Sequence, residues 1–532
     1  MPRAKWIYPG RCAIMLGHPG DPIPGKDHAM HLLLINPKFP ESFWSFRWAI
    51  DHVLPGKRAV NPPLGLATLA ALCPAHWRVE IIDENIEAVP LTTTADIVGV
   101  CGMGVQYARQ RELLARYRER GHYVVAGGSF ASLCHDDYTE EAHTVVAGEA
   151  EYVWPEFCRD FEAGAPKSLY HETGTVALAD SPVPRYDLLR LDAYSNVTIQ
   201  FSRGCPFRCE FCDIIVMFGR RPRVKGLDQI ERELDQLRRF GARSVFFVDD
   251  NLIGNPKEAK DLLRFLAEYQ KRHGYMFSFG TEASLNMAQD DELLGLFRAA
   301  NFGWVFIGIE TTDPVGLKET GKTQNLREDT LTSIRRIYAH GIDVLGGFII
   351  GFDHDTLDTF EHQYRFITEA GIQSAMIGLL MALPRTPLHE RMQKEGRLRP
   401  IERHSDNTCL TTNIVPKCMS AEAMAAAYQT LYGRLLTGPE IGRRIRNKAV
   451  HLRVPIYGSG YSMRQRVGIV SRLLVKGILS GGISTLVPFL RSFPFLTPSR
   501  IPMVISDWII GLSMKAFAER HLAGAVQQQK AD

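Results

Sequence analysis

The sequence predicts an α/β protein in two successive units, an N-terminal doubly wound parallel sheet and then a partial (β/α)6 barrel, with a mostly helical region at the end. Three observations carry this. A chain of 532 residues exceeds what one hydrophobic core usually supports, so it should divide. Short β-branched runs alternate with amphipathic helical stretches, the pattern of parallel strands joined by crossover helices. The alternation stops near Arg399, where helical periodicity takes over.

Residues 1–29 carry Gly or Pro every few positions without periodicity and read as a flexible extension, which makes Met30 a candidate start. Strands are then expected at His31–Asn36 (HLLLIN), 79–84 (VEIIDE), 95–102 (ADIVGVCG), 122–128 (HYVVAGG) and 143–149 (HTVVAGE), within a unit spanning 30–165. PPLGLATLAALC (62–73) and ARQRELLARYRERG supply helices between them. Ligands of open parallel sheets bind at the carboxyl ends of strands. Here those ends carry NPKFPESFW, CGMGVQ, AGGSFAS and AGEAE, so Gly127, Gly128, Gly148 and Glu149 are candidate binding residues. Glycine there lets backbone approach a bulky ligand closely.

The proline-containing stretch 166–195 reads as a linker. A second series, 196–395, has strand candidates at 197–202 (VTIQFS), 244–251 (SVFFVDDN), 276–284 (MFSFGTEAS), 304–310 (WVFIGIE), 343–352 (DVLGGFIIGF) and 374–384 (SAMIGLLMALP). The helical stretches LDQIERELDQLRRFG, KEAKDLLRFLAEYQKRHG and EDTLTSIRRIYAHG each end at a glycine able to take the left-handed cap conformation. Six βα units make an incomplete barrel, with its site at the carboxyl ends of the strands.

Residues 396–532 are helical, and their tail is basic and apolar: about a dozen Lys and Arg between Arg443 and Lys515 stand against one acid, Asp507. Its longest charge-free run, Gly477 to Leu490, is too short to span a bilayer. Over the whole chain 62 Lys and Arg balance 59 Asp and Glu, which gives no reason to expect nucleic acid. Ten scattered cysteines without a secretory signal argue for a reducing, cytoplasmic setting, where thiols serve metals or catalysis.

The densest chemistry lies in FSRGCPFRCEFCDI, where Cys205, Cys209 and Cys212 form a C-x3-C-x2-C spacing after the first strand of the second series. Three thiolates in a loop that Gly204 and Pro206 keep from closing into a helix can hold three corners of a cubane cluster. One iron is then left open, as a catalytic metal site requires. A zinc ion taking a distant fourth ligand such as Cys101 or Cys134, or three core cysteines, is the alternative.

The spacing, its place after a strand and the six βα units resemble the radical S-adenosylmethionine enzymes. The resemblance implies that Cys205, Cys209 and Cys212 hold a [4Fe-4S] cluster whose open iron is chelated by S-adenosylmethionine. Reductive cleavage then yields a 5′-deoxyadenosyl radical that takes hydrogen from an unactivated position. It also implies that Phe207 and Phe211 shield the cluster, and that Asp249 or Asp250 meets the methionine amino group. Glu310 then meets the ribose or amino acid portion, while Gly351 in FIIGF and Pro384 and Thr386 in LPRTPL meet adenine. No residue is assigned a catalytic role.

With the preceding doubly wound unit, the chain is similar to the cobalamin-binding subclass, and to the subgroup that includes hopanoid C-2 methylases. That implies cobalamin, as methylcobalamin, and methyl transfer to an unactivated carbon of a small-molecule or lipid substrate. An electron donor such as ferredoxin or flavodoxin follows, as does a cytoplasmic protein whose tail docks peripherally on the inner face of the membrane. The NPKFPESFW loop lacks the histidine that many cobalamin domains use as lower ligand, which implies an unliganded lower face. Oxidative ring closure on a tetrapyrrole, peptide or secondary metabolite is the alternative reaction. A tRNA methylthiolating enzyme would need three further N-terminal cysteines and an RNA-binding β-barrel, and neither is apparent.

Overall fold

The structure is a computed structural model that describes residues 29–319, 321–326, 328–400, 411–454 and 461–522, so all but the last residue of the 1–29 extension lies outside it. The first sheet comprises β1 (His31–Asn36), β2 (Arg78–Asp83), β3 (Ile97–Cys101), β4 (Tyr123–Gly127), β5 (Thr144–Ala147) and β6 (Leu169–His171). Its order is β2-β1-β3-β4-β5-β6 with every pair parallel.

Why this sheet is covered on both faces is visible in β1. Successive side chains of a strand point to opposite faces. Leu32 and Leu34 join one core with helices Leu64–Ala71 and Ala150–Glu162, while Leu33 and Ile35 join another with helices Tyr107–Arg118 and Ser129–Leu133. A continuous apolar run is what such double burial demands.

The stretch 166–195 is more than a connection. Its start supplies β6, paired parallel to β5, and Tyr186 is fully buried with its hydroxyl donating to Thr198 O at 2.9 Å. Proline density concealed a three-residue strand.

The second unit contains β7 (Val197–Ile199), a short antiparallel hairpin of β8 (Ser202–Arg203) and β9 (Arg223–Val224), then β10 (Ser244–Phe247), β11 (Ser278–Ala283), β12 (Phe302–Glu310), β13 (Asp343–Ile350) and β14 (Ala375–Leu379). The main sheet runs β14-β13-β12-β11-β10-β7, all parallel, so each predicted barrel strand is present. Gly241, Gly274 and Gly341 take positive φ of 74°, 64° and 77° after the helices they end. Val245, Phe247, Val305 and Ile307 point outward into the helix-covered core, whereas Phe246, Trp304 and Phe306 point into the barrel.

An open barrel leaves the edge of β14 unpaired, a liability that has to be covered. Helix Ala421–Leu435 covers it: the Tyr432 hydroxyl accepts from Ile377 N at 2.8 Å, and the Tyr428 hydroxyl donates to Ile377 O at 2.8 Å. Phe43, from the loop after β1, stacks on Tyr432 at 4.6 Å and packs edge-on against Phe517 at 4.3 Å. The N-terminal unit and the C-terminal helices therefore meet at the open side of the barrel.

Among the described residues one helical stretch, Pro498–His521, is long and apolar enough to cross a membrane, a segment that a search for charge-free runs passes over because Asp507 and Lys515 interrupt it. Over half of its most apolar 18-residue window is buried, and Asp507 in its middle receives Lys448 Nζ at 2.8 Å. Lys448 also donates to Asp343 at the start of β13, at 2.8 and 3.0 Å, which ties this helix to the barrel as a core element.

Candidate functional site

The cysteine loop leaves β7 and returns through β9. Gly204 has φ 96°, and a Cβ there would lie 3.1–3.3 Å from the carbonyl oxygens of Gly219, Arg221 and Phe218, so the loop closes only around a glycine. Cys205, Cys209 and Cys212 are half-buried, and burial pushes all three thiols up. Among the described residues no three His, Cys, Asp or Glu side chains converge on one ion. Cys101 and Cys134 belong to the other unit, at the end of β3 and after helix Ser129–Leu133.

Neighbouring strand ends supply the remaining groups. Asp249 is fully buried and already engaged: its carboxylate accepts from Phe201 N at 3.1 Å and from Ser202 N, so it pins the start of the cysteine loop. Asp250 accepts from Gly204 N at 3.3 Å and lines the cleft between the units. Asn251, which carries no signal in the sequence, donates its amide to Cys205 Sγ at 3.8 Å. Glu282, on β11, completes an acidic group. Burial first, then the charges of Asp250 and Asp249, push Glu282 up to about 8, and burial holds Asp249 near 7 and Asp250 near 6.

Glu310 ends β12 in a left-handed conformation, φ 64°, and pairs with the buried Lys322. A Cβ at Gly308 would lie 2.3 Å from Glu310 Oε1 and 2.6 Å from Lys322 Nζ, so the pair occupies the space that this glycine vacates. Lys322 was not legible as a site residue, because it lies in GKTQN, away from any strand end. Beside it, Gln324 Oε1 and Asn325 Oδ1 are buried without a hydrogen-bond partner among the described residues. Orphaned acceptors at the barrel mouth suit a ligand bearing amine and hydroxyl donors.

The loop after β14 is clamped to the cysteine loop. Arg391 forks onto Glu210 at 2.7 and 3.1 Å, and Leu388 N donates to Glu210 O at 2.9 Å. Thr386 spends its hydroxyl on this loop, donating to Leu383 O at 2.7 Å and accepting from His389 N at 3.2 Å as the cap of helix Pro387–Lys394. Pro384, half-buried, precedes it. Gly351 has φ 119°, and its N–H donates to Asp355 at 2.8 Å. Phe211 packs toward Phe352 at 6.1 Å, and Phe207 is half-buried beside Cys205.

The carboxyl ends of both sheets open on one cavity of about 570 Å³. The N-terminal unit lines it with Gly127, Gly128, Gly148 and Glu149, and the cysteine loop with Ile214, Met217 and Phe218. A Cβ at Gly128 would lie 2.3 Å from Gly102 O, and one at Gly148 2.7 Å from Glu172 O, so the close approach of neighbouring backbone requires glycine at both turns. Glu149 is committed elsewhere, to Arg203 at 2.8 Å and Arg223 at 2.9 Å. The loop after β1 turns away toward Tyr432. The imidazole that the cavity does contain, His171, stands on edge strand β6 with its ring 5.2 Å from His135. A large, mostly apolar cleft with glycine turns fits a corrin.

Three thiols on a loop after the first strand of an open six-stranded barrel, ringed by strand-end carboxylates, define a radical S-adenosylmethionine enzyme. The sequence profile of the Radical SAM superfamily matches residues 199–367, and that of a domain of unknown function, DUF4070, matches residues 386–524. The chain is 39% identical to the uncharacterized methyltransferase sll1242 of Synechocystis over 73% of each chain. It is 38% identical to the hopanoid C-2 methylase of Rhodopseudomonas palustris over 75% of this chain and 77% of that one. Among solved structures, OxsB with aqua-cobalamin and S-adenosylmethionine bound has the same fold at TM-score 0.59 and 17% identity, covering 94% of this chain and 81% of that one. TsrM from Kitasatospora setae gives 0.56 at 16% identity, covering 75% and 85%. The chain belongs to the radical S-adenosylmethionine methyltransferases, in the subgroup that includes the hopanoid C-2 methylase.

Proposed function

We propose that the protein methylates an unactivated carbon of an apolar lipid, a hopanoid, using a [4Fe-4S] cluster, S-adenosylmethionine and cobalamin. When bound, these groups supply a 5′-deoxyadenosyl radical and a transferable methyl group. Cys205, Cys209 and Cys212 would hold the cluster, and the Asn251 amide polarises the first of these sulfurs. Asp250, held by Gly204 N and lining the cleft, suits the methionine ammonium, and the Glu310–Lys322 pair stands at the end of β12. Asp249 and Thr386 act through the backbone they pin. The glycine turns at 127–128 and 148 cradle the corrin, and Phe207, Phe211, Gly351 and Pro384 shape the space around cluster and adenine.

The observation that supports a lipid substrate is the lining of the barrel. Phe246 and Trp304 stack at 5.3 Å, which requires Gly280 between them, because a Cβ there would lie 2.0 Å from the indole. Above them Trp44, from the loop after β1, lies 5.0 Å from Phe306, and a Cβ at Gly347 would come within 2.7 Å of that ring. Flat aromatic walls over a glycine floor suit a rigid hydrocarbon. Glu282, the acid on the same strand as Gly280, is held in its neutral form near pH 7.

The reading includes a one-electron donor of ferredoxin or flavodoxin type and a cytoplasmic protein that meets the inner face of the membrane. Mass spectrometry of the lipid fraction from cells with and without the protein tests it. The expected result is a lipid heavier by one methylene in cells that have the protein, and identical lipid fractions would overturn the lipid assignment.

A further inference from the structure

We propose that the outer face of the helical hairpin built from Met463–Leu473, its π-helical extension Leu474–Leu479 and Ile483–Ser492 is a docking surface for an anionic bilayer. The inner face is already satisfied. Ile469, Leu473 and Ile478 of the first arm and Phe489 of the second are buried against the rest of the C-terminal region. A surface helix with a filled inner stripe should turn polar residues outward. This hairpin instead exposes Val467, Val475, Leu479, Ile483 and Leu490, and the loop after it ends in Leu496; Ile483 is 79% exposed and Leu496 98%. Contiguous apolar residues on both sides of a surface element mark a binding face.

Charge selects the occupant. From residue 441 to residue 506 the sequence has no Asp or Glu, and Arg464, Lys476 and Arg491 are exposed along the hairpin. A second copy of the chain meeting this face symmetrically would set like charges against each other with no acid to offset them. Anionic headgroups over a hydrocarbon interior offer the complement to both features at once.

The position also matters. A Cβ at Gly477 would lie 3.0 Å from Trp48 Cη2, so the hairpin rests on the segment that carries Trp44 to the barrel lining. Docking here sets the bilayer beside the aromatic walls. The proposal draws its purpose from the lipid-substrate reading, while its evidence is the surface alone.

The test uses the full-length protein and co-sedimentation with vesicles of phosphatidylcholine containing about a third phosphatidylglycerol, against pure phosphatidylcholine, without reductant or S-adenosylmethionine. Binding to the anionic vesicles should be roughly ten-fold tighter and weaken with salt. Ile483→Asp with Leu496→Asp, and separately Arg464→Glu with Lys476→Glu and Arg491→Glu, should each lower it about ten-fold with unchanged Tm. Equal or absent binding to the two vesicle types, or variants that bind as the parent does, would overturn the proposal. So would a dimer in sedimentation equilibrium that the Ile483→Asp, Leu496→Asp variant converts to monomer, which would assign the face to a second copy. Methylation of a detergent-solubilised lipid reports separately on the proposed reaction, so the two readings fail independently.

Discussion

Arg203 Nη1 stands 2.8 Å from Glu149 Oε2, so the residue two positions before Cys205 is ion-paired to a strand-end loop of the other unit. Its second nitrogen reaches Glu151 at 2.7 Å, and Arg223 joins Glu149 at 2.9 Å. The cysteine loop and the loop after β5 are thereby tied together. Removing one partner of a buried pair strands the other charge. Arg203→Met should cost about 3–5 kcal/mol in thermal or denaturant unfolding, and Arg203→Lys should recover only part of it, since a lysine cannot fork across two carboxylates. Proteolysis within 166–195 should quicken in the Met variant.

Replacing Cys205, Cys209 and Cys212 together by Ala should abolish the brown iron–sulfur chromophore and all reductive cleavage of S-adenosylmethionine, while cobalamin is still retained by the N-terminal unit. Iron content, absorbance and cleavage assays read this directly. Retained cleavage would remove the cluster from the account.

Lys322→Met should destabilise the chain by about 3–5 kcal/mol, because Glu310 is left charged and buried. Adding Glu310→Gln should restore most of the stability, since it removes the stranded charge. Calorimetric titration with S-adenosylmethionine should nevertheless stay weakened, roughly ten-fold or more, in the double variant. Recovery of binding together with stability would make the pair purely structural.

Glu282 gives a pH signature. Its carboxyl is raised from 4.5 to about 8, burial being the first cause, so the folded chain binds that proton more tightly than the unfolded chain does. The stability this contributes is full below about pH 4.5 and is lost as the pH rises through about 8. Glu282→Gln stays neutral throughout. Its Tm advantage over the parent should therefore widen by several degrees between about pH 5 and pH 9, and a constant difference would contradict the assignment.

Strand runs and cysteine spacing were legible because local sequence determines both: β-branched runs end where the parallel ladder ends, and the three thiols share one loop. The roles of individual site residues were not, because partners distant in sequence decide them. Asp249 and Asp250 are adjacent and chemically identical, yet only the backbone of residues 201–202 distinguishes the carboxylate that is consumed from the one that faces the cleft. Glu149 sits in a turn that looks ligand-facing, but arginines 54 and 74 residues later claim it. Lys322 has no local pattern at all. The loop after β1 was conspicuous for the histidine it lacks, whereas in the fold its aromatic residues matter more. Phe43 seals the open barrel edge, and Trp44 faces the lumen.

Methyl transfer to an apolar carbon is decided by one incubation. Anaerobic, reduced enzyme loaded with cobalamin is given a hopanoid and S-adenosylmethionine carrying a labelled methyl group. A labelled methyl is expected on the lipid, together with 5′-deoxyadenosine. Label found only in methionine, with the lipid unmethylated or oxidised, would contradict it.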